Sequence, residues 1–402
     1  MKQLKLFTAI REYDYKSFSL MLLFTVYLIG GISIYMMYIL DDGDEAFLNK
    51  QIFGYVAGLA IIIFFTFFDY HLLAKFFIVA YVIGIGLLLI CRFSNSGFIY
   101  GWAHYDARRW IKIGGNHTAD SGFEFQPSDV VKVALIIFFA KYFDLCRKKI
   151  TKLWVLGLSL LFIMIPTFLI LTQTDLSTSI VLVLLYASMV FISGVPYKYL
   201  IPIAGTALPI MGGLYWYVQQ PFQVLLKEYQ QNRLLASKYP ELYPELAYQQ
   251  TNAAAAIRSG GLYGKVFAED TTLTGTRYVP VKESDFIFTA IAEEFGFFGS
   301  VVVIILFFLL VILAFRIAKR AKDYLGKMIA IGIGSLFAFQ VFINIGVVTS
   351  ILPNTGIPLP LMSSGLSSLL VYLGMIGILL NISLQPAQKV EKVTDEFEGL
   401  ND

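Results

Sequence analysis

The stretch PVKESDFIFTAIAEEFGFFG, Pro280–Gly299, begins polar and runs into an apolar segment of helical length. Asp285 stands where the apolar run starts, and Glu293 and Glu294 stand inside it. A charged side chain at the centre of a bilayer costs on the order of 2.5–3.5 kcal/mol. A membrane helix that keeps three carboxylates therefore either pairs them inside a bundle or uses one of them. On an ideal helix Glu293 lies about 12 Å along the axis from Asp285 and roughly 80° around it, with Glu294 about 180° around. The three cannot form a tight carboxylate pair, which disfavours a two-carboxylate retaining mechanism within this helix. Glu293 and Glu294 are expected to meet polar partners in the bundle. Asp285 has two readings: a helix N-cap, a job that Ser284 could also do, or a general base at the mouth of a low-dielectric cavity.

The rest of the chain supports the membrane reading. Of 402 residues, 57% are hydrophobic and only 15% charged, against about 25% charged in a soluble domain. A net charge of +3 is too small to argue for nucleic acid. A crossing helix needs about 20 mostly apolar residues, and ten segments qualify: 18–40, 51–69, 72–91, 128–145, 154–172, 177–194, 199–218, 285–315, 327–350 and 364–384. The expected fold is an all-α polytopic membrane protein, a single membrane domain over 1–402. Lys and Arg concentrate in 1–17, 141–152 and 316–327, whereas the short connections 41–50, 173–178 and 352–363 hold one, Lys50. By the positive-inside rule both tails, 1–17 and 385–402, are cytoplasmic. The N-terminal tail reads as polar, with no cleavable signal before the first span. Residues 92–127 and the large segment 219–284, between spans seven and eight, then lie outside. Within the latter, PFQVLLKEYQQNRLLASKYPELY (221–243) reads as an amphipathic interfacial helix. Cys91 and Cys146 fall on opposite membrane faces, so no disulfide joins them. His71, His104 and His117 show no metal-ligand spacing.

The polar residues with unusual placement gather at the outer ends of spans: Gln126, Ser128, Asp129 and Lys132; Gln173 and Asp175; Asp285; Asn354, Thr355, Ser363 and Ser364. One outward-open cavity could collect them. Arg108, Arg109 and Trp110 read either as an interfacial anchor or as a phosphate clamp, since guanidinium offers a donor fork matched to phosphate oxygens. Asp129 and Lys132, three apart on one helix face, read as an ion pair and could shape a cavity floor. SGGLYGK (Ser259–Lys265) lacks the P-loop pattern. It reads as a tight turn or as a backbone nest that approaches a ligand through Ser259, Gly260, Gly261 and Lys265. LPNTGIPLPLMSSG (Leu352–Gly365) is broken backbone at a span junction, tolerated at membrane depth only when buried or lining a cavity.

Taken in order, RRWIKIGG, FEFQPSDVVK, TQTDLSTS, AAAAIRSGGLYGK, PVKESDFIFTAIAEEFGFFG and NTGIPLPLMSSGLSSLL resemble the SEDS family, which includes RodA, FtsW and SpoVE. The resemblance covers nearly the whole chain. It implies a ten-span glycosyltransferase of the bacterial cell membrane that polymerises lipid II into peptidoglycan at the outer face, beside a class B penicillin-binding protein, in cell-shape or cell-division work, with a lean toward the RodA-like elongation role. The family's essential aspartate falls on Asp285. Its Arg-Trp pair falls on Arg109 and Trp110, and its Gln-Pro-Ser-acidic motif on Gln126, Pro127, Ser128 and Asp129, with its lysine at Lys132. Departures are Asp129 for the usual Glu, QTDLST with Thr174 and Ser177 for Pro and Gly, RSGGLYGKV with Arg258 and Val266, and MSSGLSS with Ser364 and Leu366. On this resemblance Asp285 deprotonates the acceptor hydroxyl. The charge developing on undecaprenyl pyrophosphate is met by Arg108, Arg109, Lys132 or a divalent cation such as Mg or Mn. Two rivals fit the spans as well: a flippase or transporter for lipid-linked precursors, and a noncatalytic scaffold for the crosslinking enzyme.

Overall fold

The computed structural model describes residues 13–40, 46–94, 98–104, 107–114, 123–226, 228–266 and 275–385. The tails 1–12 and 386–402, the acidic run 41–45 and His117 lie outside them.

Each of the ten predicted segments falls on a helix. The first four spans are α1 (Leu20–Leu40), α2 (Ala46–Phe67), a third that the short α3 (Tyr70–Lys75) leads into, α4 (Phe77–Phe93), and α5 (Pro127–Cys146). Next come α6 (Leu153–Thr172), α7 (Leu176–Ile192) and α8 (Tyr197–Tyr217). After α9 (Glu228–Lys238) and α10 (Pro244–Gly260) follow α11 (Ile287–Arg320), α12 (Tyr324–Val348) and α13 (Leu366–Leu384). Seven of them (α1, α2, α6, α8, α11, α12 and α13) are long and apolar enough to cross a membrane, while α4 and α7 are apolar but shorter. α5 is long enough but carries Asp129, Lys132, Lys141 and Asp144. Pro127 at its first turn fits, because a helix has no use for that amide hydrogen.

Two expectations need correction. The fold is not all-α: residues 99–125 hold a three-stranded antiparallel sheet, β1 (Ile99–His104), β2 (Ala107–Ile113) and β3 (Phe123–Phe125), in the order β1-β2-β3. Trp102 pairs with Trp110 and Ile111 with Phe125. Lys112 is buried beneath the Trp102 ring, 4.4 Å from its centroid, and paired with Glu124 at 3.1 Å. The second concerns 221–243, where the helix is shorter, α9 alone, and a further helix, α10, runs into the glycines at 260–261.

Close approach of α2 to α13 depends on small residues. A side chain at Gly54 would meet Leu369 at 2.7 Å, and one at Gly58 would meet Leu373 at 2.0 Å, the packing expected of glycines four apart on one membrane-helix face. α11 is two helices in line. Gly296 takes φ 65° and ψ −162°, which breaks the hydrogen-bond ladder. The freed groups find partners in residues 261–266: Phe297 and Phe298 amides donate to the carbonyls of Gly261 (2.9 Å) and Leu262 (3.2 Å), and the Lys265 and Val266 amides donate to those of Glu293 (3.1 Å) and Glu294 (3.0 Å). Backbone breaks at membrane depth persist only when re-satisfied in this way.

At the far end of α11 a polar clasp joins two segments of the chain. His71, in the short α3 between the second and third spans, faces Asp69 through Nδ1 (2.7 Å) and Asp323 through Nε2 (2.6 Å). Burial pushes the imidazole pKa down, but the hydrogen bonds to Asp323 and Asp69 outweigh it and raise it to about 9. The folded value exceeds the ordinary 6.5, so the stabilisation is complete below about pH 6.5 and is lost as pH rises through about 9. The melting temperature of the detergent-solubilised protein should therefore fall between pH 7 and 10. His71→Gln should be less stable at pH 6.5 and should flatten that fall. Parallel profiles for the two proteins would contradict the clasp.

Candidate active site

Asp285 does not cap α11. The helix begins at Ile287 with Phe286 at the cap position and no side-chain cap bond. The carboxylate accepts a 3.2 Å bond from Ser284 Oγ and faces a cavity of about 570 Å³. Its main chain is held more firmly. Asn344 Nδ2, from within α12, donates to the Asp285 carbonyl at 2.8 Å and to the Ile357 carbonyl at 2.6 Å. Ser363 Oγ donates to the Ser284 carbonyl (2.7 Å) and accepts from the Leu359 amide (2.8 Å), and the Ser364 amide donates to the Glu283 carbonyl (2.8 Å). The broken segment before α13 is thus stitched along residues 283–285, which places the carboxylate on rigid backbone. Gly356, at φ +70°, lies so close that a Cβ there would stand 3.2 Å from Asp285 Oδ2.

Strain gathers round this cavity. Four non-glycine residues among those described have positive φ: Thr174, Val281, Ser350 and Leu361. Val281 and Leu361 line the cavity, and the Leu361 carbonyl accepts a 2.5 Å bond from Tyr55. Such conformations cost of order 1–3 kcal/mol each and persist where the surroundings impose them, often at functional sites.

Of the residues singled out in the sequence, Asp285, Arg109, Trp110, Gln126 and Ser363 line the cavity together. Arg109 gives one guanidinium nitrogen to the Thr174 carbonyl at 2.6 Å, while its Nε is buried with no hydrogen-bond partner among the described residues. A fixed fork with a spare donor suits an oxyanion. Asp129 and Lys132 form a buried pair at 2.7 Å, and Asp129 also accepts from Ser368, which lines the cavity. They form a layer beneath the floor. Ser128 is buried with an unpartnered Oγ. Arg108 is not among the lining residues; its carbonyl accepts a 3.5 Å contact from Cys91 Sγ. Asp175 caps α7, accepting from the Thr178 amide (3.0 Å) and hydroxyl (2.9 Å).

Ser259, Gly260, Gly261 and Lys265 do not line the cavity; they belong to the splint at the α11 break. Lys265 Nζ and Ser259 Oγ both donate to Glu293, which also accepts from the Gly275 amide (2.9 Å), the Thr276 amide (2.6 Å) and the Thr276 hydroxyl (2.5 Å). A Cβ at Gly260 would meet the Ala292 carbonyl oxygen at 2.1 Å, and one at Gly264 would meet that of Glu294 at 2.1 Å. The glycines serve close backbone packing. Glu294 accepts from Tyr35 at 3.0 Å. Both glutamates thus meet polar partners.

Three contributors were not singled out in the sequence. Arg233 of α9 and Gln249 of α10 also line the cavity; the sequence marks Arg233 only as part of an interfacial helix. Asn344 is a lone amide in an apolar span, and that isolation was its only signal.

Against known proteins, the family model described as "Cell cycle protein", of FtsW, RodA and SpoVE, matches residues 14–388. A probable peptidoglycan glycosyltransferase FtsW of Bacillus subtilis (strain 168) is 31% identical over 395 residues, covering 93% of this chain and 91% of the relative. The peptidoglycan glycosyltransferase MrdB of Escherichia coli (strain K12) is 32% identical over 286 residues, 70% of this chain and 72% of the relative. Among solved structures, a chain of a peptidoglycan synthase complex described for coordination of polymerization and crosslinking superposes with a TM-score of 0.71 at 24% identity, covering 92% of this chain and 97% of that one. RodA of Thermus thermophilus superposes with a TM-score of 0.62 at 22% identity, over 92% and 96%.

Proposed function

This chain belongs to the FtsW/RodA/SpoVE family, and from that premise we propose that it is a peptidoglycan glycosyltransferase that polymerises lipid II in the Asp285 cavity. The observation that carries the reading is the single carboxylate: among the described lining residues Asp285 is the one acidic side chain, held beside a guanidinium with an unpartnered donor. Asp285 takes the proton of the acceptor sugar hydroxyl, whose oxygen then attacks the donor's anomeric carbon. The bond to undecaprenyl pyrophosphate breaks, and Arg109, with Arg233 of the same lining, meets the charge that develops on the leaving diphosphate. The buried Asp129–Lys132 pair positions the floor through Ser368 and stays out of direct contact.

A divalent cation fits this cavity poorly as a resident group. No cluster of three His, Cys, Asp or Glu residues exists among the described residues, and the general-base role occupies the one lining carboxylate. Such a cation would rest on the substrate's diphosphate instead of a protein cage.

The setting we propose is the bacterial cell membrane, with the cavity on the outer face and a class B penicillin-binding protein beside it. The charge asymmetry of the connecting segments supports the first, and the resemblance to a chain of a peptidoglycan synthase complex supports the second. The test is incubation of the purified protein with lipid II, with and without that partner, and separation of the products on a gel. A glycan ladder supports the polymerase. No ladder with the cognate partner, together with translocation of labelled lipid in vesicles, would favour a flippase.

Arg109→Lys keeps the charge but loses the fork and the bond to Thr174. Loss of a charge-assisted hydrogen bond costs about 1.5–3 kcal/mol, so polymerisation should slow by roughly 10–100-fold. An unchanged rate would remove Arg109 from the site.

A further inference from the structure

The opposite end of α11 from Asp285 opens on a second hollow, of about 580 Å³. Its cationic lining comes from three places in the chain: Arg147 after α5, Lys319 at the end of α11, and Lys322 and Lys327 around the start of α12. Asp323 also lines it but is committed, accepting from His71, Tyr70 and the Gly326 amide. Among the described residues none of the four cations has a carboxylate within ion-pair distance. Arg147 is set in place by the Tyr324 ring, its guanidinium carbon 4.8 Å from the centroid. Four cations round one hollow, without an ion-pair partner among the described residues, repel one another, and an anion placed among them relieves that repulsion.

The remaining lining decides what sort of anion. Ile192, Phe315 and Ile331 continue the hollow along the apolar surfaces of α7, α11 and α12, and Phe315 is 39% exposed. A soluble anion would use the cations and leave that surface bare. An amphiphile would use both. We propose that this hollow binds an anionic membrane phospholipid, its phosphate among Lys319, Lys322 and Lys327 and an acyl chain along Phe315. Basic pockets between membrane helices at the headgroup level have the chemistry for such lipids, and the site is independent of the glycosyltransferase reading.

The test uses the detergent-purified full chain, titrated with a fluorescent phosphatidylglycerol, with phosphatidylcholine of the same chains as neutral comparator and inorganic phosphate as competitor. Phosphatidylglycerol should bind saturably and at least about ten-fold more tightly than phosphatidylcholine. The Lys319→Gln/Lys322→Gln/Lys327→Gln variant should lose at least about ten-fold in affinity at an unchanged melting temperature, while Asp285→Asn should bind like the wild type. If the triple variant fails to insert, the single reversal Lys319→Glu gives the same readout. Equal phosphatidylglycerol binding by wild type and variants would overturn the site. Full displacement of the lipid by low-millimolar inorganic phosphate would assign the hollow to a soluble anion and overturn the lipid.

Discussion

Asp285→Ala is expected to abolish glycan polymerisation while leaving the protein folded. Removal of a general base costs about 10²–10⁴-fold, which takes a ladder-forming enzyme below detection. The structure explains why the fold should survive. The carboxylate's side-chain bond is the 3.2 Å contact with Ser284. What locks residue 285 is its carbonyl, held by Asn344, and alanine keeps it. Asp285→Asn should behave in the same way, because the amide has nearly the same shape but cannot accept the proton. The measurement is the product ladder from lipid II alongside the melting temperature in detergent. An Asp285→Ala protein that melts normally and still polymerises would end the general-base assignment.

Glu293→Ala should give the opposite pattern, loss of the folded protein itself. Glu293 is fully buried and its two oxygens collect five donors from residues 259–276. Alanine leaves the Lys265 ammonium and the Thr276 amide and hydroxyl facing a void. Breaking a buried charged pair from one side costs about 3–5 kcal/mol, a large share of an ordinary folding free energy. The expected result is a sharp drop in membrane-inserted yield and a lower melting temperature, with Glu293→Gln less affected because it keeps one acceptor oxygen. Wild-type yield and melting for Glu293→Ala would show that the network is dispensable. Read together, the two carboxylate variants separate chemistry from architecture within one twenty-residue stretch.

Much of the architecture was legible because it rests on one strong signal. Apolar runs of about 20 residues leave little choice in a bilayer, and every one of the ten lies on a helix. The shared sidedness of Arg109, Gln126, Asp285 and Ser363 was legible for the same reason: once the spans are fixed, so are their ends. The sheet at 99–125 was missed although Ile99, Tyr100, Trp102, Trp110, Ile111 and Ile113 are good strand formers. The segment was read for its charges and glycines, and nothing local announces which strand pairs with which. The role of Ser259–Lys265 was illegible for a deeper reason. Glycines that cradle a ligand and glycines that cradle another piece of backbone look alike in sequence. Only the break at Gly296, some 30 residues away, distinguishes them. Asn344 shows the same limit, since its value lies in reaching two carbonyls from different segments at once.

The break at Gly296 also decides which part of the molecule steers the carboxylate. Ahead of it, residues 287–295 are a short rod that follows Asp285 and whose far end is joined to the splint 261–266 by two main-chain bonds, at Glu293 and Glu294, while two more tie the splint to Phe297 and Phe298 beyond the break. The long portion of α11 beyond the break shares no continuous ladder with that rod. The splint that follows α10 therefore bridges the joint and grips both parts of α11. A push on the segment that carries α10 thus reaches the aim of Asp285 and the long portion of α11 together.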